Sequence, residues 1–135
     1  MNKARPQTGF MLIEVMISVL IFALGVLALV GLQAAMTRAQ TDAKVRADAS
    51  NLAGELVGMM WADASNLAGY NNSACASTPQ CAGWKAKVIL TLPDAKPDVS
   101  ADVTTGVVKI KLMWTPPSGT PHQYLTATTV NANPP

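Results

Sequence analysis

A chain of 135 residues holds one domain, or one domain with an appendage. Half of it is apolar and only 13% is charged, against roughly 25% in an ordinary soluble domain. The net charge of +2 excludes a strongly basic nucleic-acid arm and an acidic disordered tail, and one histidine with two cysteines leaves little material for a protein-only transition-metal site.

The chain opens on a polar leader, residues 1–9, that carries Lys3 and Arg5 and no acid. Phe10 to Leu32 follows as a 23-residue block with 19 apolar members, interrupted only by Glu14, Ser18, Gly25 and Gly31. As a helix it would be about 35 Å long, against about 30 Å for a bilayer core. Positive charge ahead of a single apolar span keeps that end in the cytoplasm and sends the rest across the membrane, into a bacterial periplasm or its equivalent. A cleaved secretory signal has an apolar core of about 7–15 residues. The run from Val15 to Leu32 exceeds this with Ser18 as its one clearly polar side chain. Gly9 stands at the junction of leader and span, and Glu14 lies just inside the span. A carboxylate there is costly in lipid unless it has a partner or reaches the headgroups.

The segment Gly9-Phe10-Met11-Leu12-Ile13-Glu14-Val15, between a short basic leader and a long apolar run, resembles the class III signal of type IV pilins. The resemblance implies that a prepilin peptidase cuts between Gly9 and Phe10 and methylates the new amine of Phe10. It also implies that Glu14 sets the register of an incoming subunit by meeting the N-terminal amine of a neighbour. Two unlike charges attract strongly in low dielectric, but each is expensive to bury alone, so such a pair specifies register more than it adds net stability. The stretch from Ala23 to Gln33, with Asn51 to Leu56 and Met59 to Asp63, is similar to minor pilins of the PilV type. A minor pseudopilin of a type II secretion system has the same kind of leader and span.

Beyond the span, a helix is expected to continue from Gln33 to about Asn66, with Val45, Ala49, Leu52, Leu56, Met59 and Met60 as an apolar stripe. The segment from Ser65 to Pro79 is rich in turn formers. Cys75 and Cys81, in an oxidising compartment and with no third cysteine, are most simply a disulfide. Three runs alternate with period two and read as half-buried strands: Trp84–Leu92, Val107–Trp114 and Tyr124–Val130. Pro93 and Pro97 end the first run, and Thr115–Pro121 forms a hairpin loop between the other two. Lys85, Lys87, Lys109 and Lys111 would then share the polar face of adjacent strands. That face reads as a solvated surface; without interleaved aromatics it lacks the stacking platform of a single-strand nucleic-acid binder.

The expected fold is α+β, the type IV pilin fold: a long N-terminal helix, half transmembrane and half amphipathic, packed on a small antiparallel sheet of about three or four strands. The parts are a leader (1–9), a transmembrane helix half (10–32), a periplasmic helix half (33–66) and a disulfide loop with sheet (67–135). No Ser-His-Asp set, Gly-rich phosphate loop or Glu/His metal cluster is present, so neither an enzyme nor a cofactor is expected, and His122 is expected to be solvated in its loop. The resemblance implies a minor pilin, with prepilin peptidase, major and minor pilins, an inner-membrane assembly platform and, before assembly, membrane lipid as partners. The alternatives are a type II secretion pseudopilin and a membrane-anchored periplasmic binding domain that never assembles.

Overall fold

The computed structural model describes residues 10–117 and 119–131. Lys3, Arg5 and Gly9 lie outside the described residues. Helix α1 is Phe10–Ala62, and the chain divides into two units at Asp42/Ala43. In the first unit, α1 is long and apolar enough to cross a membrane. Its large apolar side chains from Phe10 to Leu32 are all at least 43% exposed, so no protein core explains their apolarity.

In the second unit, the last turns of α1 bury Ala49, Leu52, Ala53, Leu56 and Met60. These are the expected stripe, recurring three or four residues apart, and Val45 and Met59 pack against it. The helix stops at Ala62, short of Asn66. Asn66 has non-helical dihedrals, and the chain tightens into a 3-10 segment, Ala64–Tyr70. The Tyr70 hydroxyl donates to the Asp63 carboxylate at 3.3 Å, tying this segment to the helix end. A second 3-10 turn, Cys75–Ser77, leads to helix α2, Pro79–Thr91.

Helix α2 corrects the expectation of a strand at Trp84–Leu92. Its buried residues are Cys81, Trp84 and Val88, with Leu92 buried just beyond its end. Spacings of three and four mark a helix; of the alternating set Trp84, Ala86, Val88, Leu90 and Leu92, only Trp84, Val88 and Leu92 satisfy both periods. Ala86 and Leu90, the other members of the alternating set, are exposed. Pro79 at the first helical turn is favourable because its missing N–H has no intrahelical partner there.

The sheet has three strands in the order β1-β2-β3: β1 Lys96–Ala101, β2 Val107–Trp114 and β3 His122–Thr129, all antiparallel. Pro97, expected to end a strand, sits inside β1. Such a residue is tolerated on an edge strand where its nitrogen faces away from the neighbour. The turn from β1 to β2 uses Gly106 at φ +70, and a Cβ there would meet the Val130 carbonyl at 2.6 Å. Asp102 organises the same turn; hydrogen bonds from the Thr105 hydroxyl and the backbone N–H groups of Thr104 and Thr105 hold its carboxyl below the ordinary range.

Val99, Val108, Ile110, Leu112 and Trp114 join Leu52, Leu56, Met60, Tyr70, Trp84 and Val88 in one apolar core. The fold is therefore α+β, a long N-terminal helix packed on a small antiparallel sheet, which matches the pilin-like architecture. Neither helix nor meander is self-sufficient; a two- or three-stranded ribbon needs a covered apolar face.

Candidate functional site

Two regions carry features beyond packing. The first is the N-terminal part of α1. Phe10 is 84% exposed. Glu14 is also exposed, and its backbone carbonyl accepts a hydrogen bond from the Ser18 hydroxyl at 2.7 Å. This hydroxyl, polar inside an apolar segment, is thus satisfied within the helix, and the Glu14 carboxylate is left as the one charge between Phe10 and Leu32.

The second region is the sheet. Its two edges differ in kind. At the β1 edge, the backbone groups that point away from β2 belong to Val99 and Ala101. The Val99 N–H donates to the Asn72 side-chain oxygen at 3.1 Å, and the Val99 carbonyl accepts from the Asn72 backbone N–H at 3.1 Å. The Ala101 N–H donates to the Asn71 side-chain oxygen at 2.7 Å, and the Ala101 carbonyl accepts from the Asn71 amide at 2.9 Å. Pro97, two residues before Val99 and of the same parity, has no N–H to offer. Two asparagines and a proline therefore close this edge.

At the β3 edge the situation is opposite. The Val130 N–H donates to the Gly106 carbonyl at 2.8 Å, continuing the β2–β3 register. Antiparallel pairs alternate between bonded and non-bonded. The N–H and carbonyl groups of Gln123, Leu125, Ala127 and Thr129 consequently point away from β2, and among the described residues nothing pairs with them.

The disulfide expected between Cys75 and Cys81 is formed, with a Cα–Cα distance of 5.1 Å. It joins the 3-10 turn to the first turn of α2, just after the Asn71–Asn72 pair. By sequence the asparagines read only as turn formers. Their position immediately before a disulfide-tied turn sets them apart, and their side-chain amides pair with β1 as a neighbouring strand would.

The four lysines do not share one sheet face. Lys85 and Lys87 lie on α2, and Lys87 pairs with Glu55 at 2.6 Å. Lys109 and Lys111 lie on β2. His122 is likewise not a solvated loop residue: it opens β3, is half-buried, and its ring centroid is 5.8 Å from that of Trp114. With Asp94, Lys96 and Gln123 these rings line an open cleft of about 260 Å³. Among the described residues no group of three or more His, Cys, Asp or Glu side chains is placed to hold a metal ion.

No family model, curated protein or solved structure matches the chain.

Proposed function

We propose that this chain is a minor type IV pilin of the PilV type. The observation that carries the reading is the exposed apolar segment Phe10–Leu32, charged only at Glu14, continuing as the helix whose later turns cover a small sheet. Prepilin peptidase removes residues 1–9 on the cytoplasmic side and methylates Phe10. The span then waits in the inner membrane, where lipid covers its apolar surface.

An assembly platform moves the subunit out of the bilayer into a bundle of similar helices. Neighbouring pilin helices replace lipid around the span, so its apolar side chains are never transferred to water. Glu14 enters the bundle as a buried carboxylate and is tolerable there only opposite a cation, for which the methylated amine of the adjacent subunit's first residue is the partner. Register, rather than net affinity, is what that pairing supplies. The proposed role is in priming or joining the pilus used for adhesion and twitching motility.

Intact-mass measurement of the membrane form tests the reading. The expected species begins at Phe10 and carries one added methyl group. An intact Met1, or a cut beyond Leu32, would remove the basis for it and favour an anchor or a secreted domain. Loss of exoprotein release with twitching intact, on deletion of the gene, would reassign the processed subunit to a secretion system.

A further inference from the structure

We propose that the outer edge of β3 is a docking site for an extended segment of a different protein, one that adds a fourth strand to the sheet and carries acidic side chains at alternate positions. The inference rests on the sheet and stands independently of the pilus reading.

The backbone supplies the first part. Gln123, Leu125, Ala127 and Thr129 present their N–H and carbonyl groups outward, a template for strand addition. Exposed edges are ordinarily blunted by lysine, proline, a bulge or a covering loop. The β1 edge of this same sheet is blunted in that way, by Pro97, Asn71 and Asn72. Among the described residues β3 has none of these devices: His-Gln-Tyr-Leu-Thr-Ala-Thr-Thr contains no lysine, no acid and no proline, and its register with β2 runs without a bulge.

The side chains identify the occupant. On the solvent face of the sheet, Lys109 is directly opposite Ala127, and Lys111 is directly opposite Leu125. Lys96 lies on the same face, while its one acid there, Asp98, is hydrogen-bonded by Asn72. Ala127 is small, so the Lys109 side chain can pass over it. An added strand would lie two strand spacings from β2, about 10 Å, a gap that a lysine and a glutamate side chain span together. An acid opposite Ala127 is therefore within reach of Lys109. Leu125 is 64% exposed and offers an apolar contact at the middle of the strand. On the opposite face His122, Tyr124, Thr126 and Thr128 are half-buried, so apolar partner residues at the intervening positions would extend the covered side. A second copy of β3 fits less well, because it brings lysines on its own sheet face and no acid to meet these.

The test uses the full chain in detergent micelles and, as probe, a blocked eight-residue peptide alternating glutamate with valine; the control peptide alternates lysine with valine. The expected result is binding of the glutamate peptide, with slowed amide exchange at Gln123, Leu125, Ala127 and Thr129 and none added at Val99 or Ala101. Ala127→Pro, which removes an outward N–H and leaves the bonded pairs to β2 intact, should weaken binding roughly tenfold or more. Lys109→Glu, on an exposed position that no core contact uses, should reverse the preference toward the lysine peptide. Equal binding of both peptides, or binding unchanged by Ala127→Pro, would overturn the proposal. So would a peptide-independent dimer abolished by Ala127→Pro, which would assign the edge to a second copy.

Discussion

Trp84 donates its indole N–H to the backbone carbonyl of Leu52 across 2.8 Å, inside the core between α2 and the last turns of α1. This bond explains why a tryptophan, with a polar atom to satisfy, can be 2% exposed. It also fixes the position of α2 along α1, since the indole reaches one particular carbonyl. Nearby, Lys87 pairs with Glu55 across the same two helices, but at a more exposed position where such pairs contribute little.

Trp84→Phe keeps an aromatic ring and loses the hydrogen bond. It should destabilise the globular unit by about 1–2 kcal/mol, whereas Trp84→Ala should cost about 3–5 kcal/mol through the cavity left behind. Urea denaturation of the full chain in detergent, followed by far-ultraviolet dichroism, measures both. A Trp84→Phe variant as stable as the wild type would show that packing alone holds the site.

Replacing Cys75 and Cys81 together by serine opens a short loop, and should cost about 2 kcal/mol by the chain-entropy estimate. The comparison is between the denaturation midpoints of the wild type with and without reductant and that of the double variant. Reductant should shift the wild type and leave the variant unchanged.

Asn71→Ala removes both hydrogen bonds to Ala101, leaving the backbone groups of this buried residue unpaired. The expected loss is about 1–3 kcal/mol. A second effect is expected as well: the β1 edge becomes a template, so the variant should aggregate faster than a core variant of equal stability. Light scattering at matched fraction unfolded separates the two effects.

Tyr70 has a raised pKa, chiefly because it is buried, and further because the Asp63 charge and its hydrogen bond favour the protonated phenol. The folded state therefore holds this proton more tightly than the unfolded state. The associated stability is fully present below the ordinary value of 10.0 and is lost as pH rises from there through the folded-state pKa. Denaturation midpoints should fall above about pH 10, and Tyr70→Phe should flatten that fall. An unchanged alkaline slope in the variant would place its origin elsewhere.

Glu14→Ala should leave membrane insertion unaltered, because it removes the one charge from the span. On the pilus reading it should also reduce recovery of the subunit in sheared filaments. Quantitative immunoblots of the membrane and filament fractions measure the two outcomes, and equal incorporation of variant and wild type would count against the role given to Glu14.

The elements legible in the sequence are those with one dominant physical period. The apolar helix was legible because a segment able to cross a bilayer needs a continuous apolar surface, and Phe10–Leu32 offers one without any tertiary context. The stripe from Ala49 to Met60 and the alternation of β2 were legible for the same reason: one face of each is buried and the other is not. The cysteine pair was legible because only one pairing exists.

Tertiary structure decided the rest. Trp84, Val88 and Leu92 fit a strand and a helix equally well by spacing, and in the folded chain it is as a helix that they meet the core, with the indole on the Leu52 carbonyl of α1. β1 was unreadable because Pro97 and Asp98 disfavour a strand locally; only its place at an edge, with asparagine side chains supplying the missing pairing, makes Lys96–Ala101 extended. Local sequence carries propensity and period, but whether a backbone group finds its partner depends on residues far away in the chain. That dependence is what left one edge of this sheet closed and the other open.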